Sequence, residues 1–367
     1  MAGKVRLGII GTSGWTELMY LNNLHNRADV EIAGLCGRSP ERLAEMAAKH
    51  GATATFTDYR RMIDEGGLDA VVVAAPDDQH RDMTLAAIAK GLHVLCEKPL
   101  ANNVGDARLM LEAAERARIK HMVLFTWRWQ PHFQFLKSMV NDGTFGAVYR
   151  AQFSFLAGFA RDGSYQWRHD PNRANGVVGD LGSHMIDMSR WLFGDIASVS
   201  ATLGTSISRS AIAGHEGPSA NDSAHLSLQF GSGMLGVVDV SVVAHSADML
   251  VKHIVRIEGE KATLEMEHIF LGASAGVTMR LMRADRETIE QLVVPSKFYG
   301  ASNPAEFLDV YNKDQVGVLE FIAAIREDRR PEPGFDVGVR VQEIVDTALR
   351  SHTEGRRLPI LQTAAAT

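Results

Sequence analysis

Short apolar runs recur through the first third of the chain and alternate with longer amphipathic stretches. These runs are Val5–Ile10, Val30–Leu35, Ala70–Ala75, His93–Cys96 and His121–Phe125. Runs of this length predict buried parallel strands, and the stretches between them predict helices, such as one from about Val104 to Arg116. The alternation favours an α/β fold with a doubly wound parallel sheet, in which the ends of the strands share one edge.

The pattern changes after Phe125, where strand-like stretches follow one another without long helices between them. These stretches are Tyr149–Leu156, Val199–Thr205, Ala224–Phe230, Met234–Val243, Ile254–Gly259 and Val277–Met282. Their spacing predicts a large, mostly antiparallel sheet, and helices return near Val316–Glu327 and Asp336–His352. We therefore expect two domains: residues 1–126 hold the parallel sheet, and residues 127–367 form an α+β domain.

Composition and charge narrow the class of protein. The chain has 367 residues, 46% of them hydrophobic, which is enough for two domains with their own cores. The formal net charge of -6 provides no basic surface, so neither nucleic acid nor an anionic membrane is an expected partner. No apolar run approaches the roughly 20 residues that span a bilayer, and the N-terminal run is too short for a signal peptide. The two cysteines, Cys36 and Cys96, form neither a disulfide framework nor a metal-binding spacing, so we expect a reduced, cytoplasmic protein.

A turn from the first strand into a helix occupies Gly11–Trp15. In this context a dinucleotide fingerprint binds pyrophosphate at the N-terminus of the helix. The G-x-G-x-x-G pattern is incomplete, because Ser13 and Thr16 replace its second and third glycines. Ser13 and Gly14 are nevertheless small enough for a close approach of phosphate. An ordinary strand–helix turn would look much the same, and this alternative stays open.

The tip of the second strand is where such folds read the ribose of the cofactor. An acidic residue there suits NAD, whereas the observed Arg38, beside Ser39, suits the 2′-phosphate of NADP. Glu31 has about the right separation from Gly11 but lies at the opposite end of the strand. NADP is therefore the preferred cofactor and NAD the second choice. The alternative is an exposed arginine on a loop.

Two later turns place further polar side chains at the ends of strands. Pro76 and His80 follow the third run, and Lys98 follows the fourth, directly before Pro99. Because proline restricts its own backbone and that of the preceding residue, Lys98 is held extended where a nicotinamide and a substrate would meet. A surface lysine and a local helix cap at His80 are the alternatives. The expected cofactor contacts are Gly11, Thr12, Ser13, Gly14, Trp15, Arg38, Ser39, Pro76, His80, Glu97, Lys98 and Arg128.

An aromatic and cationic segment, Thr126–Pro131, marks the crossing into the second domain. Aromatic faces stack on sugar or nicotinamide rings, and an arginine binds a hydroxyl or carboxylate group. Packing between domains explains two tryptophans equally well. The expected substrate contacts are Trp127, Trp129, Tyr165, Trp167, Arg168 and Asp187.

A second informative stretch is Gly176–Gly194. Leu181, Met185, Met188 and Leu192 form an apolar helical stripe, and the adjacent face carries Asp180, His184 and Asp187. Histidine is the side chain best suited to move a proton near neutral pH, so this face is a candidate for acid–base chemistry. A helix cap at Asp180 with a core histidine is one alternative. A metal site at His184 is another, although no third ligand is in register, and no metal is expected.

Together these motifs resemble the glucose–fructose oxidoreductase/inositol dehydrogenase group, the Gfo/Idh/MocA family. The resemblance rests on the Gly11 turn, the Pro76…His80 turn, Glu97-Lys98-Pro99, the segment ending at Pro131, and Gly179-Asp180-x-Gly182-x-His184. It implies a Rossmann domain, then a sheet-rich domain whose open face often mediates oligomers. It also implies an NAD(P)-dependent oxidoreductase acting on sugars, polyols or related molecules. The family's catalytic lysine, aspartate and histidine match Lys98, Asp180 and His184. The Thr12–Thr16 turn departs from the family's regular glycine pattern.

The expected reaction is the reversible oxidation of a secondary alcohol. His184 would act as the general base and Lys98 would donate a hydrogen bond to the developing alkoxide, while Asp180 orients the imidazole or holds a neighbouring hydroxyl. Two alternatives remain: a non-catalytic NADP-binding sensor, and a glycoside hydrolase that uses its cofactor transiently. The strand Met234–Val243 is apolar beyond a simple alternation, so we expect a sheet covered on both faces in a homo-oligomer, a dimer or tetramer.

Overall fold

Two compact units make up the chain. The first comprises residues 1–130 and 299–340, and the second comprises residues 131–298 and 341–367. The computed structural model describes residues 3–209, 219–245, 251–272, 274–306, 309–313 and 317–361. The first unit thus extends a few residues beyond the expected boundary at 126, and it also takes in a later segment that the order of elements along the chain does not reveal.

A six-stranded parallel sheet forms the centre of the first unit. Its strands are β1 (Val5–Ile10), β2 (Val30–Cys36), β3 (Thr55–Phe56), β4 (Ala70–Val73), β5 (His93–Glu97) and β6 (His121–Leu124). They lie in the order β3-β2-β1-β4-β5-β6, so the chain order reverses direction beside β1. Central side chains such as Leu7, Val72 and Leu95 are completely buried. The predicted doubly wound sheet is confirmed, and its reversal point is where such sheets bind ligands.

Helices cover this sheet. The first is Gly14–Thr16, continued by a π-helical Glu17–Leu21 and by Asn22–Leu24. The others are Pro40–His50, Tyr59–Glu65, His80–Ala89, Val104–Ala117, Asp309–Lys313 and Gly317–Arg326. There are also 3₁₀ turns at Asp77–Gln79 and Thr126–Trp129. Gly317–Arg326 packs tightly on β6, because a Cβ at Gly317 would lie 2.6 Å from Leu124 and 2.8 Å from Trp129. The predicted start of that helix, Val316, lies outside the described residues.

A nine-stranded sheet forms the second unit. Its strands are β7 (Val148–Ala157), β8 (Ile196–Gly204), β9 (Ser223–Phe230), β10 (Leu235–Ser241), β11 (Val251–Gly259), β12 (Ala262–Ile269), β13 (Gly276–Arg283), β14 (Ile289–Leu292) and β15 (Leu358–Pro359). Their order is β14-β13-β12-β11-β7-β10-β9-β8-β15. All neighbours are antiparallel except β7 and β10, which run parallel. The predicted mostly antiparallel sheet is confirmed.

The helices of the second unit begin with Pro131–Asn141. They continue with a π-helical Val178–Gly182 that runs into Ser183–Phe193, and with most of Phe335–Glu354, and there are 3₁₀ turns at Trp167–His169 and Ser296–Phe298. The helix Ser183–Phe193 packs on β7 and β10. No helix in the described ranges combines the length and apolarity needed to cross a bilayer.

The two faces of the large sheet differ. On β10, Gly236, Val238 and Val240 are buried, whereas Val237 and Asp239 on the other face are half-buried. Across strands β11–β13 that second face carries ion pairs between Arg256 and Glu265, and between Arg280 and Glu265. On β10 that second face also carries the exposed Leu235 beside Val237, so apolar positions extend beyond one face, as expected. The covering of both faces in an oligomer stays a prediction.

Candidate active site

Turns at the carboxyl ends of β1, β2, β4 and β5 lie along one edge of the parallel sheet. They carry Gly11, Arg38, Pro76 and Lys98, as the alternation of strands and helices predicts. This edge of the first unit is the candidate cofactor site.

Gly11 makes the tight turn that such a site requires. Its φ angle is +128°, and a Cβ there would collide with the carbonyl oxygen of Ala74. The Gly11 N–H donates to the carbonyl of Cys36 at 2.8 Å, which joins the turn to β2. Ser13 and Gly14 are exposed, and the Ser13 hydroxyl accepts a hydrogen bond from the Thr16 N–H at 3.1 Å. An exposed helix N-terminus without bulky side chains fits the pyrophosphate of a dinucleotide.

A buried carboxylate ties this helix to the end of β5. Glu97 Oε1 accepts hydrogen bonds from Trp15 Nε1 at 2.9 Å and from the Tyr20 hydroxyl at 2.7 Å. Burial, together with the neighbouring Glu97 charge, raises the pKa of Tyr20 well above its ordinary value, so the phenol stays a donor. Glu97 therefore binds protein donors, and its direct contact with the cofactor stays a prediction. Tyr20 was missed because it belongs to no motif.

The tip of β2 carries the cation proposed to recognise NADP. Arg38 is exposed, and within the described ranges its guanidinium forms no ion pair. Ser39 caps the helix Pro40–His50 by accepting from the Arg42 N–H at 3.2 Å. Arg42, which the sequence did not single out, pairs with Glu17 at 2.9 Å. Hydrogen bonds from Lys49 and His50 lower the pKa of Glu17 to about 2, so Glu17 is an anion near the turn.

Lys98 is half-buried and follows β5 directly. Its N–H donates to Glu97 Oε2 at 3.2 Å, and a cis peptide bond joins it to Pro99. Nearby, His80 is completely buried, and both its ring nitrogens meet carbonyl oxygens. His80 therefore has no surface for a cofactor, which corrects the expectation of direct contact.

The aromatic segment after β6 forms a 3₁₀ turn within the first unit. Trp127 is only 2% exposed, so its indole belongs to the core and the expected substrate contact is corrected. Trp129 packs against Gly317, while Arg128 remains half-buried. Packing thus describes Trp127, whereas the half-buried Trp129 stays a candidate substrate contact.

In the second unit, Asp180 and His184 lie at the junction of a π-turn and an α-helix. π-Turns within helices occur frequently at functional sites. His184 is 4% exposed, and its ring centroid lies 6.0 Å from that of Phe155. Asp180 Oδ2 lies 3.4 Å from Arg168 Nε, and Asp187 is almost completely buried. The apolar stripe that begins at Leu181 is buried, as its spacing predicts.

Arg168 packs against one other predicted substrate contact of the second unit, Trp167. Its guanidinium carbon lies 4.8 Å from the ring centroid of Trp167 and 5.9 Å from that of Phe159. Tyr165 is half-buried, and desolvation together with the neighbouring Asp170 carboxylate raises its pKa to about 12. The phenol therefore remains a hydrogen-bond donor at neutral pH.

Three buried histidines of the second unit were not anticipated, and one of them, His253, interacts electrostatically with His184. Nδ1 of His253 is 2.9 Å from Nδ1 of His268, and the ring centroids of His268 and His132 are 4.1 Å apart. Burial lowers the pKa of His268 to about 3, and burial together with the neighbouring imidazoles lowers the pKa values of His253 and His132 well below their ordinary value. All three rings are thus neutral near pH 7. In the described part of the chain, no three His, Cys, Asp or Glu side chains are placed to hold a metal ion.

Comparison with known proteins decides the family. The model described as the oxidoreductase family NAD-binding Rossmann fold matches residues 5–125, and the oxidoreductase family C-terminal alpha/beta domain matches residues 137–360. Both are models of the Gfo/Idh/MocA group, and together they cover nearly the whole chain. This chain belongs to the Gfo/Idh/MocA oxidoreductase family. The resemblance inferred from the motifs is confirmed.

Relatives of this Gfo/Idh/MocA protein include several sugar dehydrogenases. It is 29% identical to D-apiose dehydrogenase from Paraburkholderia graminis over 92% of this chain and 86% of that protein. It is 26% identical to levoglucosan dehydrogenase from Pseudarthrobacter phenanthrenivorans over 89% of each. A solved levoglucosan dehydrogenase in complex with NADH and levoglucosan shares the fold, with a TM-score of 0.85 at 23% identity over 98% of this chain and 100% of that one.

Membership in the Gfo/Idh/MocA family makes the chain an NAD(P)-dependent oxidoreductase. Its Rossmann unit supplies the candidate cofactor edge that carries Gly11 and Lys98. Its second unit supplies the helix that carries Asp180 and His184. The incomplete glycine pattern at Thr12–Thr16 leaves the Rossmann fold intact, because Ser13 and Gly14 keep the turn open.

Proposed function

We propose that the protein oxidises a secondary hydroxyl group of a sugar or polyol reversibly, with NADP preferred over NAD. The observation that carries the proposal is Lys98, a half-buried cation at the end of β5 on the same sheet edge as the Gly11 turn. The names of the relatives support the substrate class, since they include D-apiose, levoglucosan and inositol dehydrogenases.

The chemistry is a balanced removal of two hydrogens from a carbinol. When bound, the nicotinamide supplies the acceptor for the hydride that leaves the carbinol carbon with its electron pair. The hydroxyl proton passes to the imidazole of His184, and the C–O bond becomes a carbonyl. Lys98 donates a hydrogen bond to the oxygen as negative charge develops there. Asp180, paired with Arg168, orients the imidazole or holds a neighbouring hydroxyl of the substrate.

The preference for NADP rests on Arg38. An exposed guanidinium without an ion pair among the described residues is available to a 2′-phosphate, whereas Arg42 is already paired with Glu17 and Glu45. A relative from Bacillus subtilis that is 32% identical over 54% of this chain is named as an NADP-dependent scyllo-inositol 2-dehydrogenase. The remaining cofactor contacts in this proposal are the Thr12–Trp15 turn, Pro76 and Arg128.

For the substrate we propose polar and aromatic contacts from Tyr165, Trp167, Arg168 and Trp129, with Asp187 as a buried support. Tyr165 and Arg168 offer donors to sugar hydroxyls, and the indole of Trp167 offers a face for stacking.

We further propose a cytoplasmic homo-oligomer, a dimer or tetramer built on the face of the nine-stranded sheet that carries Leu235 and Arg256. The free, buried thiols of Cys36 and Cys96 suit a reducing compartment. The outward ion pairs of Arg256 suit an isologous contact, in which each patch meets its own copy. Light scattering at micromolar concentration tests this assembly, and a monomer would remove it.

A panel of sugars and polyols with NADP and NAD, followed by nicotinamide absorbance, tests the activity. Lys98→Met keeps the apolar stem and removes the ammonium, so turnover should fall roughly 10²-fold or more while NADP affinity stays within a few-fold. Lys90→Met is the matched control, because Lys90 pairs with Asp64 on the surface of the same unit. An Lys98→Met enzyme that binds NADP with undiminished kcat would overturn the mechanism. Cleavage of aryl glycosides without net nicotinamide reduction would overturn the dehydrogenase activity.

A further inference from the structure

His80 connects the ends of two neighbouring strands. It opens the helix His80–Ala89, and none of its surface is exposed. Its Nδ1 lies 2.8 Å from the carbonyl oxygen of Pro99, and its Nε2 lies 2.9 Å from the carbonyl oxygen of Ala75. Pro99 follows Lys98 beyond β5, and Ala75 precedes Pro76 beyond β4. One side chain therefore holds both turns of the candidate cofactor edge.

The two contacts determine the protonation state of the ring. A carbonyl oxygen only accepts hydrogen bonds, so each ring nitrogen must carry a hydrogen to satisfy both contacts. A neutral imidazole carries one N–H, and an imidazolium carries two. The pKa of His80 agrees with a doubly protonated ring near neutral pH. Burial disfavours the positive charge of the imidazolium, yet the Cys96 sulphur and the two carbonyls raise the pKa to about 9. Cys96 on β5 is a titratable side chain that contacts the ring.

We propose that His80 is a positioning residue for Lys98, holding the Lys98–Pro99 turn in place as a buried imidazolium that donates to both carbonyls. This inference rests on the proposed function of Lys98. The bond to Pro99 fixes the peptide that follows the lysine, and the bond to Ala75 anchors it to the neighbouring strand end. Without the bridge, the Lys98 ammonium loses its alignment with the oxygen that becomes an alkoxide, whereas cofactor contacts at Gly11 and Arg38 are unaffected.

A spectroscopic experiment examines the bridge without any activity measurement. The full-length protein, labelled with ¹⁵N in its histidines, is observed by long-range ¹H–¹⁵N NMR at pH 7.5, and the His80 signals are assigned by their loss in His80→Phe. Both ring nitrogens of His80 should be protonated. A single protonated nitrogen would overturn the imidazolium bridge.

The kinetic experiment compares His80→Phe and His80→Gln with wild type. Both variants should lose roughly tenfold to 10²-fold in kcat, with NADP dissociation constants within about threefold of wild type. The matched control is His121→Phe, which also removes a buried histidine of this unit, one whose Nδ1 accepts from the Phe335 N–H at 3.0 Å. This control should lose stability but keep its kcat per folded molecule. If His80→Phe does not fold, His80→Gln and the NMR measurement decide.

A double-mutant cycle with Lys98→Met separates this inference from the proposed function. If His80 acts through Lys98, adding His80→Phe to Lys98→Met should change kcat by less than about twofold. Additive losses would overturn the positioning role. A Lys98→Met enzyme with normal kcat would instead defeat the proposed function. An impaired Lys98→Met enzyme beside a His80→Phe variant with normal kcat would defeat only the inference about His80.

Discussion

The indole nitrogen of Trp15 donates a 2.9 Å hydrogen bond to Oε1 of Glu97. This bond joins the helix after β1 to the last residue of β5, two positions separated by 82 residues in the chain. The Tyr20 hydroxyl donates to the same oxygen from within the π-turn Glu17–Leu21. The helix that follows the Gly11 turn and the strand end that carries Lys98 are thereby joined by one carboxylate.

Removing that carboxylate should destabilise the first unit. Glu97→Ala leaves the buried Tyr20 hydroxyl without its acceptor, so we expect the free energy of unfolding to fall by about 1–3 kcal/mol. Urea unfolding monitored by circular dichroism measures the change. Glu45→Ala is the control, since Glu45 forms only an exposed ion pair with Arg42, and its effect should stay within about 0.5 kcal/mol. Equal effects of the two substitutions would contradict the role of Glu97.

Replacing Arg38 should change cofactor selectivity. Arg38→Ala removes the partner of the 2′-phosphate, so NADP affinity should fall about 10- to 100-fold while NAD affinity changes little. Titration calorimetry with both cofactors gives the two dissociation constants. Arg61→Ala, which breaks only the surface pair with Glu65, should alter neither. Tighter binding of NAD than of NADP by the wild-type protein would refute the preference.

Replacing His184 should impair the chemical step. His184→Asn removes the proposed proton acceptor, and turnover should drop roughly 10²- to 10⁴-fold. Steady-state kinetics with a substrate from the panel, together with the melting temperature, separates this loss from unfolding. His225→Asn changes a histidine on the outer face of β9, paired with Asp239, and should keep normal turnover. A His184→Asn enzyme close to wild-type rate would return His184 to the role of a core residue.

The buried histidines of the second unit predict sensitivity to acid. The pKa of His268 is about 3 in the folded chain, below the ordinary value of 6.5 that applies when unfolded. Between these values the unfolded chain binds a proton that the folded chain does not, so stability is full above pH 6.5 and falls as the pH decreases. His268→Phe should remove about one proton from this dependence, as measured by urea unfolding from pH 7 to pH 4. An unchanged slope would show that His268 is not neutral in the fold.

For His80 we expect the opposite dependence of stability on pH, a loss of stability at alkaline pH. Its pKa rises from 6.5 to about 9 on folding, so the stability it contributes is full below pH 6.5 and is lost as the pH rises through 9. Melting temperatures of wild type and His80→Phe between pH 6 and 10 should converge as the pH increases. Parallel curves would indicate that His80 does not titrate with folding.

Strands buried on both faces were predictable because their composition alone identifies them, as for Ala70–Val73. The two-residue strand Thr55–Phe56, one residue exposed and the other half-buried, offers no such signal. The strand Ala262–Ile269 does alternate between buried and half-buried positions, and this period of two would have revealed it. Periodicity does not show which unit a helix joins, so the placement of Gly317–Arg326 with the first unit needed the structure.

Residues of the candidate site were predictable where they belong to a motif that lies at the end of a strand, as Lys98 does. They were not predictable where burial determines whether a side chain can contact a ligand. Trp127 has the composition of a stacking residue but belongs to the core, and Tyr20 and Arg42 hold the cofactor turn through partners distant in sequence. The histidine pair His253 and His268 depends on strand register, which pairs them directly across β11 and β12.

The division of the chain also constrains how the protein is made. The first unit includes residues 299–340, so its helix Gly317–Arg326 leaves the ribosome only after eight of the nine strands of the large sheet, β7 to β14, have been synthesised. Until then β6 lacks the helix that packs on Leu124, and an apolar surface of the nascent chain stays open to solvent. Residues 1–126 expressed alone would keep that surface permanently, so aggregation during synthesis is the characteristic hazard of this arrangement.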